Sequence, residues 1–190
     1  GQYEREILFF LHTEKPMLSV NTRTEHFTRE NFGAYYDQLM AYPHVMRSIP
    51  IFFKSKELIP ENEALRTHTS FDLPYQQALG KLLGYPPSAT KSLYTEKSPD
   101  HPIVYVDYYG LKFASSFDAF RESVAWLHQT YTFPAAIQDW VQVSHTTEAE
   151  KHAGRGTIVF HRSPLPFNKE DIDFSNYRFT ETYEDIFVSF

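Results

Sequence analysis

Nine histidines in a chain without cysteine are the residues best able to do chemistry. Among them, His68-Thr69-Ser70, His145-Thr146-Thr147 and His161-Arg162-Ser163 each read His-x-Ser/Thr. Two such motifs on facing strands are what a two-histidine phosphoesterase requires. One imidazole serves as base and the other as acid, while the hydroxyls hold phosphate oxygens. The candidates are His68, Ser70, His145, Thr147 and His161, and the 77 positions from His68 to His145 would fit two lobes of such a fold. Against this, His68 lies in a polar, loop-like stretch, and the pattern is easily met by chance among nine histidines. The competing reading is unrelated surface or capping histidines.

His145, Glu148 and His152 form a second constellation. In a helix over 145–153 they would share one face, at i, i+3 and i+7. Two imidazoles and a carboxylate could then hold zinc or another divalent metal. If 140–160 is instead a hairpin, His145 falls on a strand and this set dissolves. The carboxylates Glu170, Asp171, Asp173 and Glu181, Glu184, Asp185 sit as neighbours within single segments, which marks a solvated edge rather than an acid/base pair. Tyr85, Tyr105, Tyr108 and Tyr109 flank turns. If exposed, they would offer rigid area with a polar tip to a partner.

Other chemistries are excluded or unsupported. Without cysteine there is no disulfide, thiolate metal site or cysteine nucleophile. Gly-x-Gly-x-x-Gly, the phosphate loop, Gly-x-Ser-x-Gly and His-Glu-x-x-His are all absent. A net charge of −6 without a basic stripe opposes nonspecific nucleic-acid binding. No apolar run approaches the roughly 18 residues that cross a bilayer. The expected partner is a protein or small-molecule ligand, with no nucleic acid and no membrane. No cofactor is predicted, apart from the divalent-metal alternative. A reducing cytoplasm is the default location, although a chain that opens Gly1-Gln2 could have lost an upstream segment.

The elements that must position these residues are dominated by rings. Tyr, Phe and Trp make up 17% of the chain, which points to a core built from aromatics or to a ring-lined groove. Residues 6–12 read as a short buried strand, followed by a turn at Lys15-Pro16 and a return strand through Met17, Leu18 and Val20. A helix over 28–42 starts at the Thr28 cap, carries Phe32, Tyr35, Tyr36, Leu39 and Met40 on one face, and ends before Pro43. Ile49–Phe53 is a strand that Pro50 places near an edge or bulge, and 54–72 is a long polar loop. A helix over 73–83 is capped by Asp72, has Pro74 in its first turn, turns Ala78, Leu79, Leu82 and Leu83 inward, and stops at Gly84. Pro86-Pro87 opens a further short helix to Tyr94.

Ile103–Tyr108 and Lys112–Ala114 form a hairpin. Ser116 caps a helix over 117–131 in which Phe117, Phe120, Val124, Leu127 and Tyr131 recur with helical period. Beyond it, 135–139 could be a helical turn, Trp140–Ser144 and Thr157–Phe160 are strand-like, and the tail from Phe179 is aromatic and strand-like. This order predicts an α+β fold in which three to four helices pack on a mixed or antiparallel sheet around an aromatic-rich core. A single domain over 1–190 is expected, with 54–72 the one place to divide it.

Two stretches carry local resemblances. Gly80-Lys81-Leu82-Leu83-Gly84-Tyr85-Pro86 resembles a helix–Gly-Tyr-Pro–helix joint of several bacterial families of unknown function. Some of those have cysteines after the proline, where this chain has Pro87, Ser88 and Ala89. Pro102–Leu127, with the Asp107-Tyr108-Tyr109-Gly110 turn, Ser116-Phe117 and Phe120, resembles the late segment of bacterial toxin-immunity proteins of the yeast cell-wall-regulator superfamily. That resemblance implies a noncatalytic, binding role. It spans about 26 of 190 residues, without the early part of that family's pattern, and assigns no family. The function expected is a noncatalytic α+β domain that binds a protein or ligand through an aromatic-rich surface. The alternative is a histidine-dependent hydrolase, metal-free or with a divalent metal.

Overall fold

The computed structural model describes residues 3–95, 103–108, 110–132, 139–146, 157–162 and 187–189. The fold is α+β, and the chain divides into two compact units, Gly1–Gly84 and Tyr85–Phe190. No helix among the described residues is long and apolar enough to cross a membrane.

The first unit contains helix α1 (Glu4–His12), strand β1 (Met17–Ser19), a 3-10 turn (Thr24–His26), α2 (Arg29–Phe32), α3 (Ala34–Met40), β2 (His44–Met46), β3 (Pro50–Phe53), α4 (Leu58–Arg66) and α5 (Leu73–Leu83). Its sheet has the order β1-β3-β2, with both pairs antiparallel. The central strand is apolar at every position and buried throughout, because both of its faces are covered. Alternation along the strands sorts the core into two layers. Leu18 and Phe52, directly opposed in the register, join Ile7, Phe10, Val20, Phe27 and Leu39 in one cluster. Met17 and Phe53, the next opposed pair, join Ile51 and Leu82 in the other, with Leu58, Ile59 and Leu65 of α4 packed against it.

Several elements differ from the sequence expectation. Residues 4–12 are helix, not strand. A short apolar run fits a helix buried on most sides as well as a strand, and here Glu4 and Glu6 occupy the first turn while Thr13 caps the end on Phe9 O. The stretch 54–72 is not a loop, since it carries α4. Pro60 falls in the first turn of that helix, where a missing N–H breaks no ladder bond. Pro50 begins the central strand rather than an edge. It is the first residue of β3, where no donor is needed, and its carbonyl accepts from Val20 N at 3.1 Å. Ala78 of α5 is exposed rather than inward.

The helix expected over 28–42 starts as predicted, with Thr28 Oγ1 accepting from Asn31 N at 3.2 Å, but it breaks at Gly33. Gly33 has φ 56° and ψ −134°, a conformation that L side chains rarely adopt, although a Cβ there would meet nothing within 4 Å. Gly33→Ala should therefore destabilise the first unit by about 1–3 kcal/mol through backbone strain alone. Chemical denaturation would show it as a lower midpoint with an unchanged slope. The helix over 73–83 is as predicted. Asp72 accepts from Tyr75 N at 3.1 Å, and Gly84 closes the helix at φ 79°, in the left-handed region.

Two lysines of this unit close helix ends. Lys15 Nζ donates to Leu83 O, the last carbonyl of α5, and Lys54 Nζ donates to Phe10 O in the last turn of α1. A cation at a helix C-terminus answers both the unpaired carbonyls and the negative dipole end. Lys54 also lies 4.2 Å from the Phe10 ring centroid and 4.9 Å from that of Tyr42. Burial lowers the pKa of both lysines.

The second unit contains α6 (Pro87–Thr95), β4 (Ile103–Tyr108), β5 (Leu111–Ser116), α7 (Phe117–Thr130), β6 (Asp139–Thr146), β7 (Thr157–Arg162) and β8 (Phe187–Ser189). Its sheet has the order β5-β4-β6-β7-β8, antiparallel except for the parallel pair β7–β8. The hairpin expected from Trp140 and Thr157 is thus present, and its loop lies outside the described residues, as does 133–138. Val106, Tyr108, Leu111, Phe113 and Ser115 share one buried face of β4–β5. Serines tie the strands and helices of this unit together. Buried Ser92 Oγ of α6 accepts from Ser116 N at 3.0 Å, Ser116 Oγ caps α7 by accepting from Ala119 N at 3.1 Å, and the hydroxyls of half-buried Ser88 on α6 and buried Ser123 on α7 meet at 3.0 Å.

Candidate ligand-binding site

A cavity of about 440 Å³ opens in the first unit, lined from α1, the segment after β1, the 3-10 turn, α2 and α3. Helix α1 supplies Tyr3 at its N-cap, Glu4 in its first turn and Ile7 one turn on. Thr22 and His26 come from the connection to α2, and Asn31, Phe32 and Tyr35 from the two short helices on either side of Gly33. The size and the mixture of rings with a few polar groups are those of a small-molecule site.

Three of the lining residues are aromatic. Tyr3 stacks on Phe32 with centroids 5.9 Å apart and planes 23° apart. Phe32 continues into Phe27 at 4.8 Å, and Phe27 into Phe52 of the central strand at 5.3 Å, so the cavity wall is anchored in the sheet. Hydrogen bonds fix the polar side chains. Tyr35 Oη donates to Glu4 Oε1 at 2.8 Å, Tyr3 Oη donates to Asn21 O at 2.8 Å, and Asn31 Nδ2 donates to His26 O at 2.8 Å. The Tyr35 phenol is pushed above its ordinary pKa by burial and then by the Glu4 carboxylate it serves, so it stays a donor at neutral pH. The Glu4 carboxyl is held below its ordinary range, first by a hydrogen bond from the chain's amino terminus and then by Tyr35. Among the described residues, no lysine or arginine side chain lines the cavity.

The residues singled out from sequence lie elsewhere. His68 follows α4 in the first unit, is exposed, and stacks on Tyr75 at 5.5 Å with planes 19° apart. Ser70 is exposed nearby. His145 is on β6 and His161 on β7, in the second unit. The β6–β7 register sets position 161 opposite 140, so strand alternation assigns positions 145 and 161 to opposite faces of the sheet. They do not form a pair across that hairpin. His145 being on a strand also removes the helical spacing from His145 to Glu148 and His152. Thr147, Glu148 and His152 lie outside the described residues, and among the described residues no group of three metal-ligating side chains converges.

Of the tyrosines expected on a recognition surface, Tyr108 is 0% exposed. This is a correction. It shares the buried face of β4–β5 with Val106 and belongs to the core, because residues two apart on a strand point the same way. Tyr85 is half-buried, with its ring 6.1 Å from that of Phe113. Tyr105 is on β4, and Tyr109 lies outside the described residues.

Of the cavity residues, the sequence reading places Ile7 in a short apolar run and Phe32 and Tyr35 on the apolar face of one helix, and it singles out none of Tyr3, Glu4, Thr22, His26 and Asn31. Glu4 and Tyr35 are 31 positions apart and meet only through the fold. No protein-family model, curated protein or solved structure matches this chain.

Proposed function

We propose that this chain is a noncatalytic binding protein whose first unit takes a small ligand into the cavity between α1 and the α2–α3 segment. The observation that carries the reading is the ring-and-carboxylate wall, in which the Tyr3–Phe32 stack stands beside the Tyr35–Glu4 hydrogen bond. A pre-formed cavity of this size, with anchored rings and polar groups already oriented, binds without the ordering cost that a flexible surface carries. A net charge of −6 supports a ligand other than nucleic acid.

The test is a fragment screen on the full chain by amide NMR, paired with Thr22→Trp. Thr22 is half-buried and outside any helix or strand, so an indole there fills the cavity without entering the core. Saturable shifts confined to the amides of the lining residues are expected, and their loss in the folded Thr22→Trp variant. The reading fails if no fragment saturates there, or if Thr22→Trp binds as the parent does.

A further inference from the structure

We infer that helix α4 is a latched flap, which opens by itself while the rest of the first unit stays folded. The inference is independent of the cavity, whose rings pack against the other core layer.

The first ground is what α4 buries. Leu58, Ile59 and Leu65 pack on the layer of Met17, Ile51, Phe53 and Leu82, and helical spacing sets Asn62 on the same face. The three aliphatic side chains are only half-buried. The buried residue of α4 is Asn62, 5% exposed, and its Nδ2 has no hydrogen-bond partner. Turning the amide over would seal its oxygen there instead. A sealed amide without a partner opposes the docking that the aliphatic side chains favour. Asparagine is also a weak helix former. Opening α4 returns the amide to solvent and removes that cost.

The second ground is how the helix is fastened. Glu57 precedes α4 without capping it. The outer latch is Glu63, whose Oε2 accepts from Arg47 Nη2 at 2.6 Å, in the turn between β2 and β3. Its other oxygen accepts no hydrogen bond and has Arg66 Nη1 at 3.8 Å. Arg47 and Glu63 are both partly exposed, so this pair holds weakly. Helix α5 is fastened better. Asp72 caps its start, Gly84 closes its end and Lys15 takes the carbonyl of Leu83. Segments of one domain open at free energies set by such local contacts, which places α4 below α5 and the buried strand β3. The exposed stretch 67–71, outside any helix or strand, lets the helix swing away. What it uncovers is the apolar layer around Ile51 and Phe53, so α4 gates one face of the sheet.

The test is native-state hydrogen exchange on the full chain, read amide by amide by NMR. In the parent, the α4 amides should exchange faster than those of β3 and α5. Asn62→Leu keeps the size of the side chain and removes the sealed amide. It should slow exchange in α4 roughly tenfold, because a buried donor no longer goes unpaired, and leave β3 and α5 at parent rates. Arg47→Gln alters the latch from outside the helix and should speed α4 exchange about two- to fivefold. Equal exchange of α4 and β3 in the parent would overturn the inference. So would α4 rates unmoved in Asn62→Leu, or a slowing shared by every element, which would mean a single global opening. Loss of the parent's amide spectrum in Asn62→Leu would also overturn it, by showing that the interior needs the amide.

Discussion

Between about pH 6 and pH 9 the first unit should gain roughly 2–3 kcal/mol of stability from the titration of one side chain, Lys15. Lys15 is only 7% exposed, and burial pulls its pKa from 10.5 to about 7, against a smaller upward pull from the Glu6 charge. In the unfolded chain the same amine titrates near its ordinary value. Between these two values the unfolded state carries a proton that the folded state lacks, so raising the pH favours folding. Below about pH 7 both states are protonated, and the full cost of holding an ammonium in the interior is present. Above the unfolded value both are neutral and the cost is gone. The window is thus pH 7 to 10.5, and the sign is stability rising with pH.

Lys15→Met isolates this effect. Methionine fills much of the space of the lysine stem but does not titrate. It also removes the donor to Leu83 O, which shifts stability by a similar amount at every pH. The variant's profile should therefore flatten by about 2 kcal/mol relative to the parent over the same range. Both tryptophans, Trp126 and Trp140, lie in the second unit, so the readout chosen is hydrogen exchange of amides in α5 and β1 of the first unit. Parallel profiles for parent and variant would show that Lys15 is not buried as an amine.

Lys15 also shows where the sequence stops being legible. As Lys15-Pro16 it reads as a turn; in the fold the bend falls at Thr13, and residues 14–16 are the plain connection from α1 to β1. Nothing in the neighbouring residues says that its amine runs inward to a carbonyl 68 positions away. The elements that were readable carry their instructions locally. Asp72, Pro74 and Gly84 specify the start, first turn and stop of α5 within thirteen residues, and Ser116 does the same for α7. Leu8-Phe9-Phe10-Leu11 misled because four apolar residues in a row are too few to separate a strand's period from a helix's. The cavity was illegible for the same reason as Lys15. Its parts come from five segments, and a stack such as Tyr3 on Phe32 exists only after the sheet has brought them together. Histidine motifs drew attention because their spacing is visible in one dimension. In the fold His145 and His161 occupy strand positions of opposite parity.

The ring network that anchors the cavity also sets the largest expected loss of stability. Phe52 is 0% exposed at the middle of the central strand. It packs with Leu18, Ile7, Phe10 and Leu39, and its ring meets Phe27, the link between the core and the cavity wall. Phe52→Ala removes most of a ring from a site enclosed by the sheet on one side and helices on the other. Such a void closes poorly, and the change should cost about 3–5 kcal/mol. That is a large share of the roughly 5–15 kcal/mol that stabilises a whole domain. Amide protection in α1, β1 and β3 should fall together, because one cluster spans all three, and the binding proposed for the cavity should weaken as the Phe27–Phe32 wall loosens. Phe71 supplies the control. It is the same residue type at 66% exposure, touching Tyr75 at 5.0 Å on the surface, and Phe71→Ala should change stability by less than about 0.5 kcal/mol. Equal costs for the two truncations would mean that the first unit is not held by the cluster around its central strand, and the anchoring of the cavity would then need another cause.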